Sequence, residues 1–368
     1  MKLRNLFPDG LRPFAVTANF RNATGARGNG FSFIMSAIME KVHQRQLATP
    51  KAGAMALFLF LIAVRAAAEP RATPEVACHF RDVEGIRVFY REAGSPAAPT
   101  LLLLHGFPSS SFYFRNLIPL LAGRYHVIAP DYPGFGHSDT PAIARFVYTF
   151  DHLGEVTEKL LQARGITNCV IYMFDYGGPV GMRVAVRHPE WIAGLVFQNA
   201  NIYHEGLSER FLLKKPLWEK RTEATEAPVL RNMELDAVKF QYVHGTRHPE
   251  QLSPDGWTLD VALLNRPGNK AIQLELQADY GNNLVKYAEW QAYLRRHQPP
   301  TLVTWGKKDP IFVPEGAQAF KRDVPDAKIH LLDTGHFALE EDFTVVSGLL
   351  HDFLESTTRR EIKRSPNR

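Results

Sequence analysis

Residues 169–187 read CVIYMFDYGGPVGMRVAVR. The apolar run 169–173 is typical of a buried parallel strand, and residues 179–187 predict a helix. Between them, Asp175-Tyr-Gly177 predicts a sharp turn from strand to helix, because a residue at such a turn needs a small neighbour two positions on. This stretch therefore predicts a unit in which a strand delivers a carboxylate to the start of a helix.

Alternating strand and helix signals continue on both sides of this unit. Further predicted strands are 79–83 and 87–91 (a hairpin), 100–104, 125–130, 193–197, 301–305 and 329–333. Predicted helices are 112–121, 150–164, 315–321 and 345–354. Because parallel strands need crossover helices, this alternation predicts an α/β fold, with a mostly parallel eight-stranded sheet and helices on both faces.

The alternation is interrupted once. Residues 202–297 are rich in helix signals, aromatic residues and long charged side chains, which predicts a helical cap inserted into the α/β core. The core is predicted to comprise residues 76–201 and 298–355. Residues 356–368 are predicted to form a disordered basic tail.

Residues 1–75 are excluded from fold prediction because they look like a targeting or disordered extension. The hydrophobic segment 54–64 has the length of a signal-peptide core, Lys51 precedes it, and Ala66-Ala-Ala68 offers a cleavage pattern. This favours a signal peptide and an exported, periplasmic or secreted protein, or a membrane tether through residues 54–64. An organelle transit peptide, or a misassigned extension on a cytoplasmic enzyme, are the competing interpretations.

Composition and charge argue against several classes of function. The chain is 45% hydrophobic and 22% charged, as in ordinary globular proteins. Its formal net charge is +5, but the basic excess lies in residues 1–75 and after Glu355, so the body is mildly acidic and nucleic-acid binding is not expected. Cys78 and Cys169 lack metal-site spacing, and no phosphate or dinucleotide motif is present, so we expect no metal and no cofactor.

Three polar residues follow predicted parallel strands. Asp175 follows strand 169–173, Asp309 follows strand 301–305, and His336 follows strand 329–333. Ligands of open parallel sheets bind at the carboxyl ends of the strands, so these side chains are expected to meet there.

Several motifs resemble one branch of a known family. They are His105-Gly-Phe-Pro108, Asp131-Tyr-Pro-Gly-Phe-Gly-His-Ser-Asp139, the Asp175 turn, Gly306-Lys-Lys-Asp309 and Gly335-His336. In this order they resemble the epoxide hydrolase and haloalkane dehalogenase branch of the α/β-hydrolases, over residues 78 to 355. Alternative roles are an N-cap for Asp175, a surface site for His336 and, as the favoured role of His105, bracing of its loop. Pro108 is expected to follow a cis peptide.

The resemblance implies a two-step hydrolysis. Asp175 would attack a saturated carbon and form an alkyl ester, and His336, oriented by Asp309, would activate water to hydrolyse it. The backbone N–H groups of Phe107 and Tyr176 would form an oxyanion hole. The partners implied are a small hydrophobic organic substrate and water, with no prediction of oligomeric state.

The leaving group distinguishes epoxide hydrolysis, our favoured prediction, from dehalogenation. Halide release needs donors such as tryptophan, yet Tyr176 follows the nucleophile, and Trp218 is the expected substrate contact that could supply one. Epoxide opening needs a proton donor, for which the resemblance implies cap tyrosines, Tyr280 and, less directly, Tyr242. A non-catalytic ligand-binding protein on the same fold is a further alternative, which would predict a damaged Asp–His–Asp set.

Overall fold

The computed structural model describes residues 75–364, with side chains to Thr357. The predicted targeting segment, including the hydrophobic run 54–64 and its cleavage pattern, lies outside the described residues. Between residues 75 and 364, no helix is both long enough and apolar enough to cross a membrane.

The core is an eight-stranded sheet with the order β1-β2-β4-β3-β5-β6-β7-β8. Its strands are β1 (Val76–Val83), β2 (Ile86–Ala93), β3 (Thr100–Leu104), β4 (His126–Pro130), β5 (Cys169–Phe174), β6 (Ile192–Gln198), β7 (Thr301–Gly306) and β8 (Lys328–Leu332). The β1–β2 and β2–β4 pairs are antiparallel, and all other pairs are parallel. The predicted mostly parallel eight-stranded fold is confirmed.

The central strands explain why the prediction from apolar runs succeeds. Every residue of β5 is buried, and so are Leu101–Leu104 of β3, because helices cover both faces of the sheet. The registers of β3 and β5 pair Leu104 with Met173, so the two strands end side by side. The loops that follow β3 and β5 therefore meet at one edge.

Helices follow in chain order. They are α1 (Ile118–Leu121), α2 (Phe150–Ala163), α3 (Gly177–Arg187), α4 (Glu209–Leu212), α5 (Lys215–Glu219), α6 (Glu223–Arg231), α7 (Leu235–Val243), α8 (Asp255–Leu264), α9 (Asn269–Asp279), α10 (Gly281–His297), α11 (Pro314–Asp323) and α12 (Leu339–Arg364). Helices α4 to α10 all lie in the sequence between β6 and β7, within the segment predicted as a cap.

Two predicted segments differ from the structure. The single helix expected over 112–121 is a 3₁₀ turn, Ser111–Phe114, followed by α1, because Pro119 lacks the N–H that a continuous helix would need. The tail expected to be disordered from residue 356 continues α12 as far as Arg364. Residues 355–364 are rich in Glu, Arg and Lys, which favour helix, so basic composition alone was a poor guide to disorder.

Candidate active site

Asp175 lies at the turn between β5 and α3. Its backbone φ is +48°, a left-handed conformation that costs a non-glycine residue of the order of 1–3 kcal/mol. The turn is tightly packed, since a Cβ on Gly106 would collide with the Asp175 side chain and one on Gly177 would collide with the Leu104 carbonyl oxygen. The glycines therefore permit the close approach that holds Asp175 beside the loop after β3.

The Gly177 position provides a stability prediction. We expect Gly177→Ala to lower the free energy of unfolding by about 1–3 kcal/mol, because a methyl group there must displace the backbone of a buried strand. Gly348→Ala is the matched control: it lies on α12 with open space around it, so the protein should become about 0.5–1 kcal/mol more stable. Urea unfolding followed by circular dichroism measures both, and equal stabilities of the two variants would contradict the packing described.

The Asp175 carboxylate is buried and held by backbone donors. Its Oδ1 accepts a hydrogen bond of 2.7 Å from the N–H of Phe107. Burial raises the pKa of Asp175, and the charge of His336 and the N–H groups of Phe107 and Tyr176 offset this only in part. The N–H groups of Phe107 and Tyr176, the two residues predicted to form an oxyanion hole, thus both act on this carboxylate.

His336 lies between the two aspartates. Its Nδ1 is 2.7 Å from Asp309 Oδ2, and its Nε2 is 3.7 Å from Asp175 Oδ2. Asp309 therefore orients the ring through Nδ1, and Nε2 is the ring nitrogen that faces Asp175. Burial lowers the pKa of His336, but the charge and hydrogen bond of Asp309 outweigh burial and raise it.

Asp309 is surrounded by hydrogen-bond donors. Its Oδ1 accepts from the N–H groups of Ile311 (2.7 Å) and Phe312 (3.1 Å). Its Oδ2 accepts from Asn199 Nδ2 at 2.7 Å as well as from His336. An acceptor-only group fits this setting, so the ionised carboxylate is well stabilised there.

Asn199 is a site residue that the sequence analysis missed. It follows β6 with a φ of +46°, and its Oδ1 accepts from Gly306 N at 3.1 Å and Gln198 Nε2 at 2.8 Å. The end of this strand reads Gln198-Asn199-Ala200-Asn201 and carries no acid. A strand-end Asn, a residue type that tolerates left-handed backbone, was the available signal.

His105 braces the loop that follows β3, as favoured. Its Nδ1 lies 3.1 Å from the Gly106 carbonyl oxygen and its Nε2 accepts from Tyr132 N at 3.3 Å. Burial lowers the pKa of His105 to about 4, so the ring is neutral. The Phe107–Pro108 peptide bond is cis, as expected.

A cavity opens beside Asp175 and includes residues that the sequence analysis did not identify. Of the predicted site residues, Phe107 and Tyr176 line it together with Asp175. The cap contributes polar side chains to the same cavity, namely Arg210, Lys214, Asn232 and Gln241. Arg210 lies on α4 and Lys214 in the turn between α4 and α5, so both reach the cavity from one short stretch of the cap.

Trp218 and Tyr280 pack against residues that line the cavity. The Tyr280 ring lies 5.8 Å from that of Tyr176 and 4.8 Å from that of Phe211, and the Trp218 ring lies 5.8 Å from that of Phe211. Burial and the neighbouring Tyr287 raise the pKa of Tyr280, and the charge of Asp175 raises it further. Trp218 Nε1 donates to the Gln277 carbonyl oxygen at 3.0 Å, so this indole N–H is already used.

Tyr242 does not fit its expected role. Its hydroxyl donates to Asp260 Oδ2 at 2.6 Å, and its ring stacks on Phe337 with centroids 3.8 Å apart. Burial raises the pKa of Asp260 to about 7. The predicted role of Tyr242 as the second proton donor is thus corrected: Tyr242 is a buried packing residue whose hydroxyl donates to Asp260.

Metal coordination has no candidate in the part of the chain that the structure describes, since no group of three or more His, Cys, Asp or Glu side chains converges there. The buried carboxylates instead contact backbone N–H groups, an amide and an imidazole.

Comparisons with known proteins agree with the fold. The chain is 44% identical over 270 residues to an uncharacterized hydrolase of Saccharomyces cerevisiae, covering 72% of this chain and 92% of that protein. It is 27% identical over 293 residues to epoxide hydrolase 4 of Mus musculus, covering 75% and 79%. Its relatives also include haloalkane dehalogenases.

Solved structures support the same architecture. Haloalkane dehalogenase DbeA from Bradyrhizobium elkani matches with a TM-score of 0.64 at 24% identity, over 77% of this chain and 100% of that one. A family model described as the alpha/beta hydrolase fold matches residues 99–343. The family predicted from the motifs is confirmed: this chain belongs to the α/β-hydrolases.

Proposed function

We propose that this protein hydrolyses epoxides to diols through an ester of Asp175. One observation carries the proposal: Asp175 Oδ1 is bound by the Phe107 N–H, while Oδ2 lies 3.7 Å from Nε2 of His336, whose Nδ1 is 2.7 Å from Asp309 Oδ2. One oxygen is thus placed for oxyanion stabilisation, and the other is available for attack.

In the first step Oδ2 attacks a ring carbon of the epoxide. The ring C–O bond breaks, its electron pair goes to the ring oxygen, and that oxygen takes a proton from an acid in the cap. Tyr280 is our candidate acid, because its ring packs on Tyr176 and the Asp175 charge acts on its hydroxyl. The product is a hydroxyalkyl ester of Asp175.

In the second step His336 Nε2 removes a proton from water, and the resulting hydroxide attacks Cγ of the ester. Negative charge develops on Oδ1, where the N–H groups of Phe107 and Tyr176 lower its energy, at about 3–4 kcal/mol per donor in comparable sites. The Cγ–Oδ2 bond then breaks, and the diol leaves with Oδ2 and with the proton that His336 returns. The second proton of the water passes from Asp175 to Tyr280, which regains the proton that it gave in the first step. Asp175 retains one oxygen from water.

Dehalogenation is the alternative that the relatives suggest, and we favour epoxide opening because Tyr280 is placed as a proton donor. The Trp218 indole, expected as a donor for a departing halide, already donates to a carbonyl, so dehalogenation would rely on the N–H groups of Arg210, Lys214, Asn232 and Gln241 in the cavity. A non-catalytic role is supported less again, because Asp175, His336 and Asp309 are intact and in contact. A turnover panel of epoxides and haloalkanes compares these functions directly.

A single turnover in heavy-oxygen water tests the mechanism. With enzyme in excess over a neutral epoxide such as styrene oxide, we expect the label in the peptide that contains Asp175 and none in the diol. The reason is that water attacks Cγ and leaves its oxygen on the enzyme. Asp175→Ala should neither turn over nor take up label. Label found first in the diol would mean direct attack by water and would overturn the proposal.

A further inference from the structure

The cavity beside Asp175 is unusually cationic for a site expected to take a hydrophobic substrate. Arg210 and Lys214 of the cap line it, with the amides of Asn232 and Gln241 between the cap helices. Its free volume is about 40 Å³, roughly the space of three waters by the usual minimum of 10–15 Å³ each. The space therefore suits a small, polar group.

The cap cations are held over the site by a contact with the core. Ser208 caps α4 by accepting from Phe211 N at 3.0 Å, and its hydroxyl donates to the Pro310 carbonyl oxygen at 2.8 Å. Pro310 is the residue after Asp309, so this bond fixes the start of α4 beside the Asp–His pair. Arg210 lies on α4 and Lys214 in the turn that follows it, and both line the cavity.

Neither cation is neutralised by an acidic partner from the cap. Within the described chain, Arg210 and Lys214 form no ion pair with a carboxylate; the Lys214 Nζ lies 4.6 Å from the Phe211 ring centroid, and the Arg210 guanidinium 4.6 Å from that of Phe240. Burial lowers the pKa of Lys214 to about 8, with Asp175 opposing and Arg210 adding to that shift. Positive charge is thus kept in the cavity at an electrostatic cost.

Ester formation increases this cost. Asp175 is the anionic carboxylate that faces Lys214, and alkylation removes its charge. In the ester, Lys214 would be left without this counter-charge, whereas Arg210 is exposed to solvent and loses less. A substrate with its own anionic group would supply that charge in the intermediate.

We infer that this cavity selects small epoxides that carry a carboxylate, bound by Lys214 and Arg210. The inference rests on the proposed epoxide hydrolysis and replaces the expected hydrophobic substrate with an anionic one. The guanidinium of Arg210 can bind a carboxylate through two parallel hydrogen bonds, and Lys214 adds a point charge.

The test compares two epoxides that differ in charge and little in size, oxirane-2-carboxylate and oxirane-2-carboxamide. For the wild-type protein, we expect kcat/KM to be at least about tenfold higher for the carboxylate, since a charge-assisted hydrogen bond contributes on that scale. Lys214→Gln and Arg210→Gln should each reduce this ratio severalfold. Lys215→Gln is the matched control, because Lys215 is exposed and pairs with Glu219 outside the cavity, so the ratio should stay as in wild type.

The outcomes separate the inference from the function on which it rests. A wild-type ratio of one or below would overturn the anionic substrate, while label in Asp175 from styrene oxide would still support the epoxide mechanism. Equal losses on both epoxides in Lys214→Gln would place Lys214 in the chemical step and also overturn the inference. If no epoxide is turned over and Asp175 takes up no label, the proposed function fails and the inference fails with it.

A pH series adds a readout that a purely structural Lys214 would not change. The ratio of the two kcat/KM values should be highest below about pH 8 and fall above it, because Lys214 loses its charge as the pH rises through its pKa. The other titratable groups that act on it are Asp175, His336 and Arg210, and their effects on the reaction are common to both substrates. A flat ratio between pH 6 and about 9.5 would contradict the role of Lys214.

Discussion

His336→Gln protein incubated with a reactive epoxide is expected to accumulate one covalent adduct on Asp175. The nucleophilic Oδ2 does not need the imidazole, so the ester still forms, but water activation is lost and hydrolysis should slow by about 10²–10⁴-fold. Glutamine keeps much of the size and polarity of histidine, which is 0% exposed and packs against Phe174 and Phe337. Intact-mass measurement should give the mass of protein plus epoxide, and peptide mapping should place it on Asp175.

Two controls sharpen this experiment. His330→Gln changes a half-buried histidine of β8 that lies away from the Asp–His pair, so this variant should turn over without an adduct. His336→Gln combined with Asp175→Ala should form none, because the nucleophile is missing. An adduct on a different side chain, or no adduct where the wild-type protein turns over, would exclude Asp175 as the nucleophile.

The sequence was sufficient to predict that Asp175, Asp309 and His336 meet at one edge of the sheet because that information is local. A buried parallel strand is a short apolar run, and its last residue marks the sheet edge at which side chains of neighbouring strands meet. Asp175 follows such a run directly, and Asp309 and His336 lie within four residues of the ends of theirs. Positions 106 and 177 need glycine because backbone and carboxylate approach each other closely there, and a glycine can be recognised in the sequence.

The cap could not be predicted to the same depth, because its side chains are positioned by contacts far apart in sequence. Lys214 is held near Asp175 by the hydrogen bond between Ser208 and Pro310, two residues that are 102 positions apart in the sequence. The sequence predicted Tyr242 as a second proton donor, but its hydroxyl donates to the carboxylate of Asp260 on α8. Residues of a helical cap do not follow strands, so their position in the sequence does not show which aromatic or charged side chains face the substrate and which pack inside the cap.

Asn199 illustrates an intermediate case. The segment Gln198–Asn201 at the end of β6 includes no acid, but the amide of Asn199 donates to Asp309 and so supports the acid that follows β7. The amide at this strand end complements that acid, because it satisfies one lone pair of Asp309 Oδ2 while His336 occupies the other. The role is visible only when both strand ends are placed side by side.

Asp309→Asn is expected to reduce the rate of ester hydrolysis by about 10³–10⁴-fold, the scale measured when an amide replaces the aspartate of a comparable triad. Every neighbour of this carboxylate is a donor: two backbone N–H groups on Oδ1, and Asn199 and His336 on Oδ2. In the Asp309→Asn variant, the amide nitrogen therefore faces another hydrogen-bond donor, whichever of the two oxygen positions it takes. His336 then relieves the conflict by placing its proton on Nε2, where it can no longer accept one from water.

The pH dependence separates this tautomer effect from simple loss of structure. Asp309 is the group that raises the pKa of His336, so its neutralisation should move the ascending limb of the hydrolysis rate to lower pH, because the imidazole then loses its proton earlier. Single-turnover decay of the Asp175 ester, followed by mass spectrometry across pH, measures this shift. Asp333→Asn, on the loop just before His336 and paired at the surface with Lys308, should leave both rate and profile near wild type. A large rate loss without any shift in the profile would point to a disordered site, since a positioned but wrongly protonated imidazole must change its titration.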